Sequence, residues 1–212
     1  VENMKQQAEK FGAKFVFESV TEVDFSKGSP FLLKTDSGDT YSADSVIVTI
    51  GANPRELGIP GEREFVGRGV SYCATCDGFF FRGKDITVVG GGDSALQEAI
   101  FLTKFGKSVN VIHRRDDLRA STALQVRAKA NPKITFTYST TVEEVKGEAS
   151  NGGPAIVKAV VLRDVKTGQT YEKPTDGVFI FIGYDPNSWL FKGQLALDES
   201  DYMKIDHLMQ TS

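Results

Sequence analysis

Cys73 and Cys76 are the only cysteines among 212 residues, and they lie two residues apart in Cys73-Ala74-Thr75-Cys76-Asp77-Gly78. Thiols at that spacing either pair with each other or share a bound ion. A structural zinc site takes four thiolate or imidazole ligands, commonly as two close pairs. The only histidines, His113 and His207, are far apart and have no ligand spacing of their own, so no metal is expected. A bridge across two residues closes so small a loop that it removes little entropy from the unfolded chain. The spacing instead suits reversible dithiol–disulfide chemistry, in which one thiolate attacks and its neighbour resolves. Asp77 follows directly. A carboxylate there can hold and return the proton that a departing thiolate needs, while the plainer reading is an Asp-Gly turn.

A second chemistry follows along the chain. Asp85 to Val89 is a short β-branched run of the kind expected of a strand buried on both faces. It leads into Gly90-Gly91-Gly92-Asp93-Ser94-Ala95 and then a run, Leu96 to Phe105, with Leu96, Ala99, Ile100 and Thr103 at helical spacing. Gly106 is placed to end that helix. Strand, glycine turn and helix open a dinucleotide-binding unit in which Gly90, Gly92 and Ala95 fill the pattern G-x-G-x-x-G/A. Gly90 permits the tight turn, Gly92 lets backbone N–H groups approach a pyrophosphate, and Ala95 allows helix to pack on strand. The helix N-terminus presents its positive end to the phosphates. Asp93 and Ser94 at the start of the helix, and Ile182 at the end of a later strand, complete the expected cofactor-binding set. A glycine-rich turn alone can be purely structural; the flanking strand and helix favour the nucleotide.

The next strand pattern, Ser108 to Ile112, ends in His113-Arg114-Arg115, with Arg119 about one helical turn later. An NAD site places Asp or Glu at this point to accept from the ribose hydroxyls. Guanidinium groups bind a 2′-phosphate bidentately and stay charged, so the expected cofactor is NADPH. A solvated basic loop neutralised by Asp116 and Asp117 is the alternative. Position argues for the adenosine ribose, with His113 stacking on or hydrogen-bonding the adenosine.

Three motifs in order, Cys73-Ala-Thr-Cys76-Asp77-Gly78-Phe-Phe, Gly90-Gly-Gly-Asp-Ser-Ala95 and His113-Arg-Arg-Asp-x-x-Arg119-Ala, resemble the low-molecular-weight thioredoxin reductases. The flavoprotein subunit of alkyl hydroperoxide reductase shares the first two but not the His-Arg-Arg run. The resemblance implies an α/β fold with a Rossmann-like parallel sheet and a β-meander, in which an NADPH domain is inserted into an FAD domain. It also implies a relay from NADPH through FAD to the Cys73–Cys76 disulfide and on to oxidised thioredoxin, with Cys76 facing the flavin and Cys73 attacking the partner. A homodimer in the cytoplasm is expected of the intact enzyme. The chain would cover its middle only: residues 1–60 a partial FAD-binding domain, 61–184 the NADPH-binding domain with the redox disulfide, and 185–212 a partial return. The opening glycine fingerprint and closing Gly-Asp segment of the FAD domain are absent, and Ile50 stands where the family usually has Thr. FAD is thus expected in the intact enzyme and in doubt here. Hinges would lie near Ile59–Gly69 and Gly183–Asn187. The alternatives are a non-catalytic NADP-binding fragment and a related flavoprotein reductase with another disulfide partner.

Composition and coarse patterning agree with a globular chain. Hydrophobic residues make up 40 % and the formal net charge is −3, so nucleic acid is not an expected partner. No apolar run approaches a membrane span, and no signal peptide is expected. The first 60 residues read as a helix ending at Gly12, then strands at Lys14–Phe17, Phe31–Thr35 and Val46–Ile50, with a hairpin turn at Asp36–Asp39. Asn53-Pro54 and Ile59-Pro60-Gly61 read as linker. Later strands are expected at Ile134–Tyr138, Ile156–Arg163, Gln169–Lys173 and Val178–Ile182, broken at Asn151-Gly-Gly-Pro154 and Lys166-Thr167-Gly168. Phe79, Phe80 and Phe81 would alternate as in a strand, some buried and one left to dock a partner.

Overall fold

The β-branched runs on either side of the glycine turn become the centre of a parallel sheet, and the rest of the larger unit covers its two faces. The computed structural model describes residues 2–149 and 153–212, and the chain divides into two units. One takes residues up to Ala52 with Asp185–Ser212; the other is Asn53–Tyr184. The expected break at Asn151-Gly-Gly-Pro154 falls largely outside the described residues.

In the first unit, α1 (Glu2–Lys10) ends where Gly12, at φ +89°, donates its N–H to Glu9 C=O at 2.9 Å. Strands β1 (Val20–Asp24), β2 (Phe31–Thr35) and β3 (Thr40–Ala43) form an antiparallel sheet in that order. The expected turn at Asp36–Asp39 joins β2 to β3, with Gly38 at φ +91° and Thr35 N–H donating to Asp39 C=O at 3.0 Å. Two expected strands are not strands. Lys14–Phe17 and Val46–Ile50 carry the apolar pattern but pair with no strand among the described residues, leaving Phe17 84 % and Ile47 91 % exposed. A pattern suited to burial on both faces fixes a strand only where neighbours exist to cover it. β4 (Ala52–Pro54) and β13 (Tyr184–Pro186) lie where the chain passes from one unit to the other.

The second unit begins with β5 (Val70–Ser71), α2 (Ala74–Asp77) and a 3₁₀ turn at Gly78–Phe81. There follow β6 (Asp85–Val89), α3 (Asp93–Leu102), β7 (Ser108–Ile112), α4 (Thr122–Lys129) and β8 (Ile134–Thr137). A meander of β9 (Thr140–Glu148), β10 (Ile156–Asp164) and β11 (Thr170–Pro174) comes next, and β12 (Gly177–Ile180) returns to the sheet. The five-stranded sheet has order β5-β12-β6-β7-β8, with all neighbours parallel. Residues 59–69 pack within this unit, with Val145 N–H donating to Pro60 C=O at 2.9 Å and Val157 N–H to Arg68 C=O at 3.0 Å.

The sheet has a separate core on each face, and the period of two along its strands assigns side chains to one or the other. On one face Phe179 and Phe181 join Ile86, Val88, Val109 and Val111 beneath Ala95, Leu96, Ala99 and Leu102 of α3. On the other, Val178 and Ile180 join Val89 and Ile112 beneath Val142, Val145, Val157, Val160 and Leu162 of the meander. The layers are therefore helices, parallel sheet and antiparallel meander. Among the described residues no helix is long and apolar enough to cross a membrane.

Phe179 is fully buried and sits edge-on to Phe81, ring centroids 5.0 Å apart. Phe179→Ala should destabilise the protein by about 3–5 kcal/mol, read as a lower midpoint of denaturant unfolding at unchanged slope.

Candidate functional site

Cys73 and Cys76 form a disulfide, with an S–S distance of 2.06 Å and Cα atoms 5.3 Å apart. Cys73 is the N-cap of α2, and its Sγ accepts the N–H of Cys76 at 3.2 Å. The buried Ser71 holds Cys73 from behind: its Oγ accepts Cys73 N–H at 3.0 Å and donates to Cys73 C=O at 3.2 Å. Cys73 is half-buried and Cys76 exposed. When the bond is reduced, the Cys76 N–H favours negative charge on the Cys73 sulfur. Asp77 ends α2, is half-buried, and its carboxylate accepts no hydrogen bond among the described residues. Gly78 has a φ of −54°, which any residue can adopt, so backbone conformation does not call for glycine there. A Cβ there would stand 3.0 Å from Leu102 Cδ2 and 3.2 Å from Phe105 Cδ2, so the small residue lets the redox turn rest on α3.

The phenylalanines after it are not in a strand. They form the 3₁₀ turn, in which successive side chains are about a third of a turn apart. Phe81 alone points into the core, while Phe79 and Phe80 are 60 % and 69 % exposed. The Arg82 guanidinium covers one side of Phe79 at 5.1 Å from the ring centroid. Arg68 lies over Phe65 at 5.7 Å.

Away from the sulfurs, the carboxyl ends of β6 and β7 open onto a cavity of about 710 Å³. Gly90, Gly92, Asp93, Ser94, His113, Arg114, Arg115, Arg119 and Ile182 all line it. Ala95 does not: it is fully buried behind the turn, and a Cβ on Gly90 would stand 2.8 Å from its own. Gly90 takes φ +146°, where a side chain would also strike Phe181 C=O. At Gly92 a Cβ would meet nothing within 4 Å, so this residue's face is open to the cavity. Sequence reasoning missed Gly91, on whose Cα the His113 ring rests so closely that a Cβ would overlap it. It also missed Arg55, Thr141 and Glu143, which reach the cavity from other segments and belong to no local motif.

His113 is 7 % exposed, and its Nε2 donates to Asp117 C=O at 3.0 Å. Burial is the main cause of an imidazole pKa below the ordinary value; Arg115, Arg114 and Arg119 add to the fall, while the Asp117 carbonyl opposes it. Asp116 does not neutralise the arginines. It takes Lys166 Nζ at 2.6 Å and the Ser139 hydroxyl, which together hold its carboxyl below the usual range. Among the described residues no carboxylate pairs with Arg114, Arg115 or Arg119, all of which are exposed, while Leu118 and Ala120 on either side of Arg119 are buried anchors. A glycine turn, a helix N-terminus and three unpaired guanidinium groups on one cavity suit an elongated ligand phosphorylated at two places.

The family profile of the pyridine nucleotide-disulphide oxidoreductases matches residues 2–212. The chain belongs to this family. Within the family, thioredoxin reductase from Streptomyces coelicolor is 50 % identical over 206 residues, covering 97 % of this chain and 62 % of the relative. The one from Peptoclostridium acidaminophilum is 43 % identical over 218 residues, covering 100 % of this chain and 67 % of the relative. A crystal structure of Lactococcus lactis thioredoxin reductase superposes with a TM-score of 0.80 at 40 % identity, over 99 % of this chain and 67 % of that one. The chain thus spans 62 % of the length of the first of these relatives and 67 % of the other two.

A histidine whose folded pKa is depressed stabilises the fold above its unfolded pKa of about 6.5. That stability is lost as pH falls through the folded value, because the unfolded chain then binds the extra proton. An NMR titration should find His113 neutral at pH 6.5. Removing it by His113→Gln should flatten the loss of stability as pH falls below about 6.5.

Proposed function

We propose that the protein is a thioredoxin-disulfide reductase, moving electrons from NADPH via FAD to Cys73–Cys76 and on to oxidised thioredoxin. The observation that carries this reading is one unit, Asn53–Tyr184, holding both a solvent-accessible disulfide across two residues and a cavity lined by a glycine turn and three arginines. In balance, NADPH gives up two electrons and a proton, solvent gives a second proton, and one disulfide becomes two thiols.

The residues fit NADPH. Gly90, Gly91 and Gly92, with Asp93 and Ser94 at the start of α3, would bring backbone N–H groups to the pyrophosphate. Arg114, Arg115 and Arg119 would take the 2′-phosphate, His113 would lie against the adenosine, and Ile182 would bound the cavity towards the nicotinamide. Bound NADPH supplies a hydride. FAD, by contrast, has no cradle among the described residues of the first unit, where the expected covering strand at Val46–Ile50 is irregular and Ile47 is bare. We therefore assign FAD to the intact protein, with residues 1–60 and 185–212 as parts of its domain and 61–184 as the NADPH domain.

At the sulfurs, Cys73 is the nucleophile towards thioredoxin. Its thiolate is the one with an N–H donor, from Cys76, and Ser71 fixes its backbone. Cys76 resolves the mixed disulfide, and the unpaired carboxylate of Asp77 holds the proton released or taken up by the departing sulfur. Phe79 and Phe80 offer the partner an exposed apolar anchor beside the reacting bond. The reading includes a homodimer in the cytoplasm, with no nucleic-acid or membrane partner.

The test is thioredoxin-dependent oxidation of NADPH by the intact enzyme. No turnover with thioredoxin, but turnover with another disulfide protein, would overturn the partner. Cys76→Ser should abolish thioredoxin reduction while NADPH still bleaches the flavin. Arg114→Ala with Arg119→Ala should lower the preference for NADPH over NADH by roughly two orders of magnitude, since each removes a hydrogen bond to a charged group. An unchanged ratio of kcat/KM values would place the 2′-phosphate elsewhere.

A further inference from the structure

Asp93 opens α3, and its charge has the wrong sign for a helix end that receives a pyrophosphate. Its partner explains its presence. Asp93 Oδ1 accepts the N–H of Ser121 at 2.5 Å, 28 residues further along the chain. Ser121 is the N-cap of α4, and its own side chain caps nothing, so Asp93 supplies an acceptor that this helix start otherwise lacks. Beside it, the N–H groups of Arg119 and Ala120 both donate to Gly91 C=O, at 2.7 and 3.1 Å. Three successive N–H groups are thus pinned, two to the glycine turn and one to the first residue of α3. The starts of α3 and α4 meet here, two half-positive ends with one carboxylate between them.

We propose that Asp93 is a positioning residue for recognition of the 2′-phosphate. It holds Arg119, and with it the far end of the arginine loop, at a fixed place relative to the glycine turn. A nucleotide spanning both must match that spacing. The Asp93 carboxylate acts through Ser121 and does not touch the nucleotide, to which this residue offers only its backbone N–H. The inference rests on the reading of the cavity as an NADPH site.

Three variants separate the acceptor from the charge. Asp93→Asn keeps an oxygen acceptor and loses the charge; Asp93→Ala loses both. Ser121→Pro deletes the N–H at a residue whose φ of −56° already suits proline. The probes are 2′,5′-ADP and 5′-AMP, which differ only in the 2′-phosphate, titrated calorimetrically into the full chain. Asp93→Ala and Ser121→Pro should each lower the ratio of the two affinities about tenfold. The double variant should lower it no further, because both remove one interaction. Asp93→Asn should keep the ratio near wild type, because loss of the charge acts on the 5′-phosphate that both probes share. Unchanged ratios in Asp93→Ala and Ser121→Pro would overturn the proposal, as would equal loss of both probes or an Asp93→Asn as damaging as Asp93→Ala. Should Asp93→Ala fail to fold, Ser121→Pro against Asp93→Asn decides. A wild-type chain with no preference for 2′,5′-ADP would overturn the NADPH reading itself, a result distinct from the others.

Discussion

Three consecutive residues without a Cβ let separate parts of the larger unit meet at one end of its parallel sheet. Gly90 admits the Phe181 carbonyl and the Ala95 methyl, Gly91 carries the His113 ring, and Gly92 leaves its face open to the cavity. The contacts at Gly90 and Gly91 are closer than any side chain allows, whereas Gly92 meets nothing and only leaves its face bare. Packing of α3 on β6, placement of the arginine loop and exposure of backbone N–H groups all follow from this one turn. The Gly91 carbonyl then collects the N–H groups of Arg119 and Ala120. A nucleotide-sized hollow remains because the chain around it is crowded.

How much of this was legible in the sequence depended on whether the signal was local. The runs at β6 and β7, the glycine turn and α3 were readable because their patterns are contiguous and their neighbours agree. The hairpin at Asp36–Asp39 was readable from turn chemistry alone. Lys14–Phe17 and Val46–Ile50 show the opposite case: strand-like composition gives no strand where no neighbour pairs with it. β9 was missed because Thr140–Glu148 mixes charged and apolar residues, half-buried under one face of the sheet. α4 was missed because its polar sequence has only Ala128 buried. In the site, residues inside a motif were found, whereas Arg55, Thr141 and Glu143 arrive by tertiary folding and leave no trace in spacing. The phenylalanines after the cysteines were assigned the wrong period, two in place of three.

The two sites in the larger unit stay apart: neither cysteine lines the cavity. The carboxyl ends of β6 and β7 face the cavity, while the sulfurs sit on a short helix held against α3 through the bare Cα of Gly78. A carrier between them is therefore a chemical need of the proposed reaction, and the flavin assigned to the intact protein answers it. The sulfur site contributes an asymmetry of its own, because one sulfur has a backbone donor and the other faces water.

All the thiol chemistry this polypeptide possesses is locked in one bond, since no free cysteine accompanies the pair. An alkylating dye therefore finds nothing to label in the oxidised protein and a single turn of helix in the reduced one. The redox state can be counted by mass, two tags or none, without first mutating background cysteines. The reporter coincides with the disulfide itself.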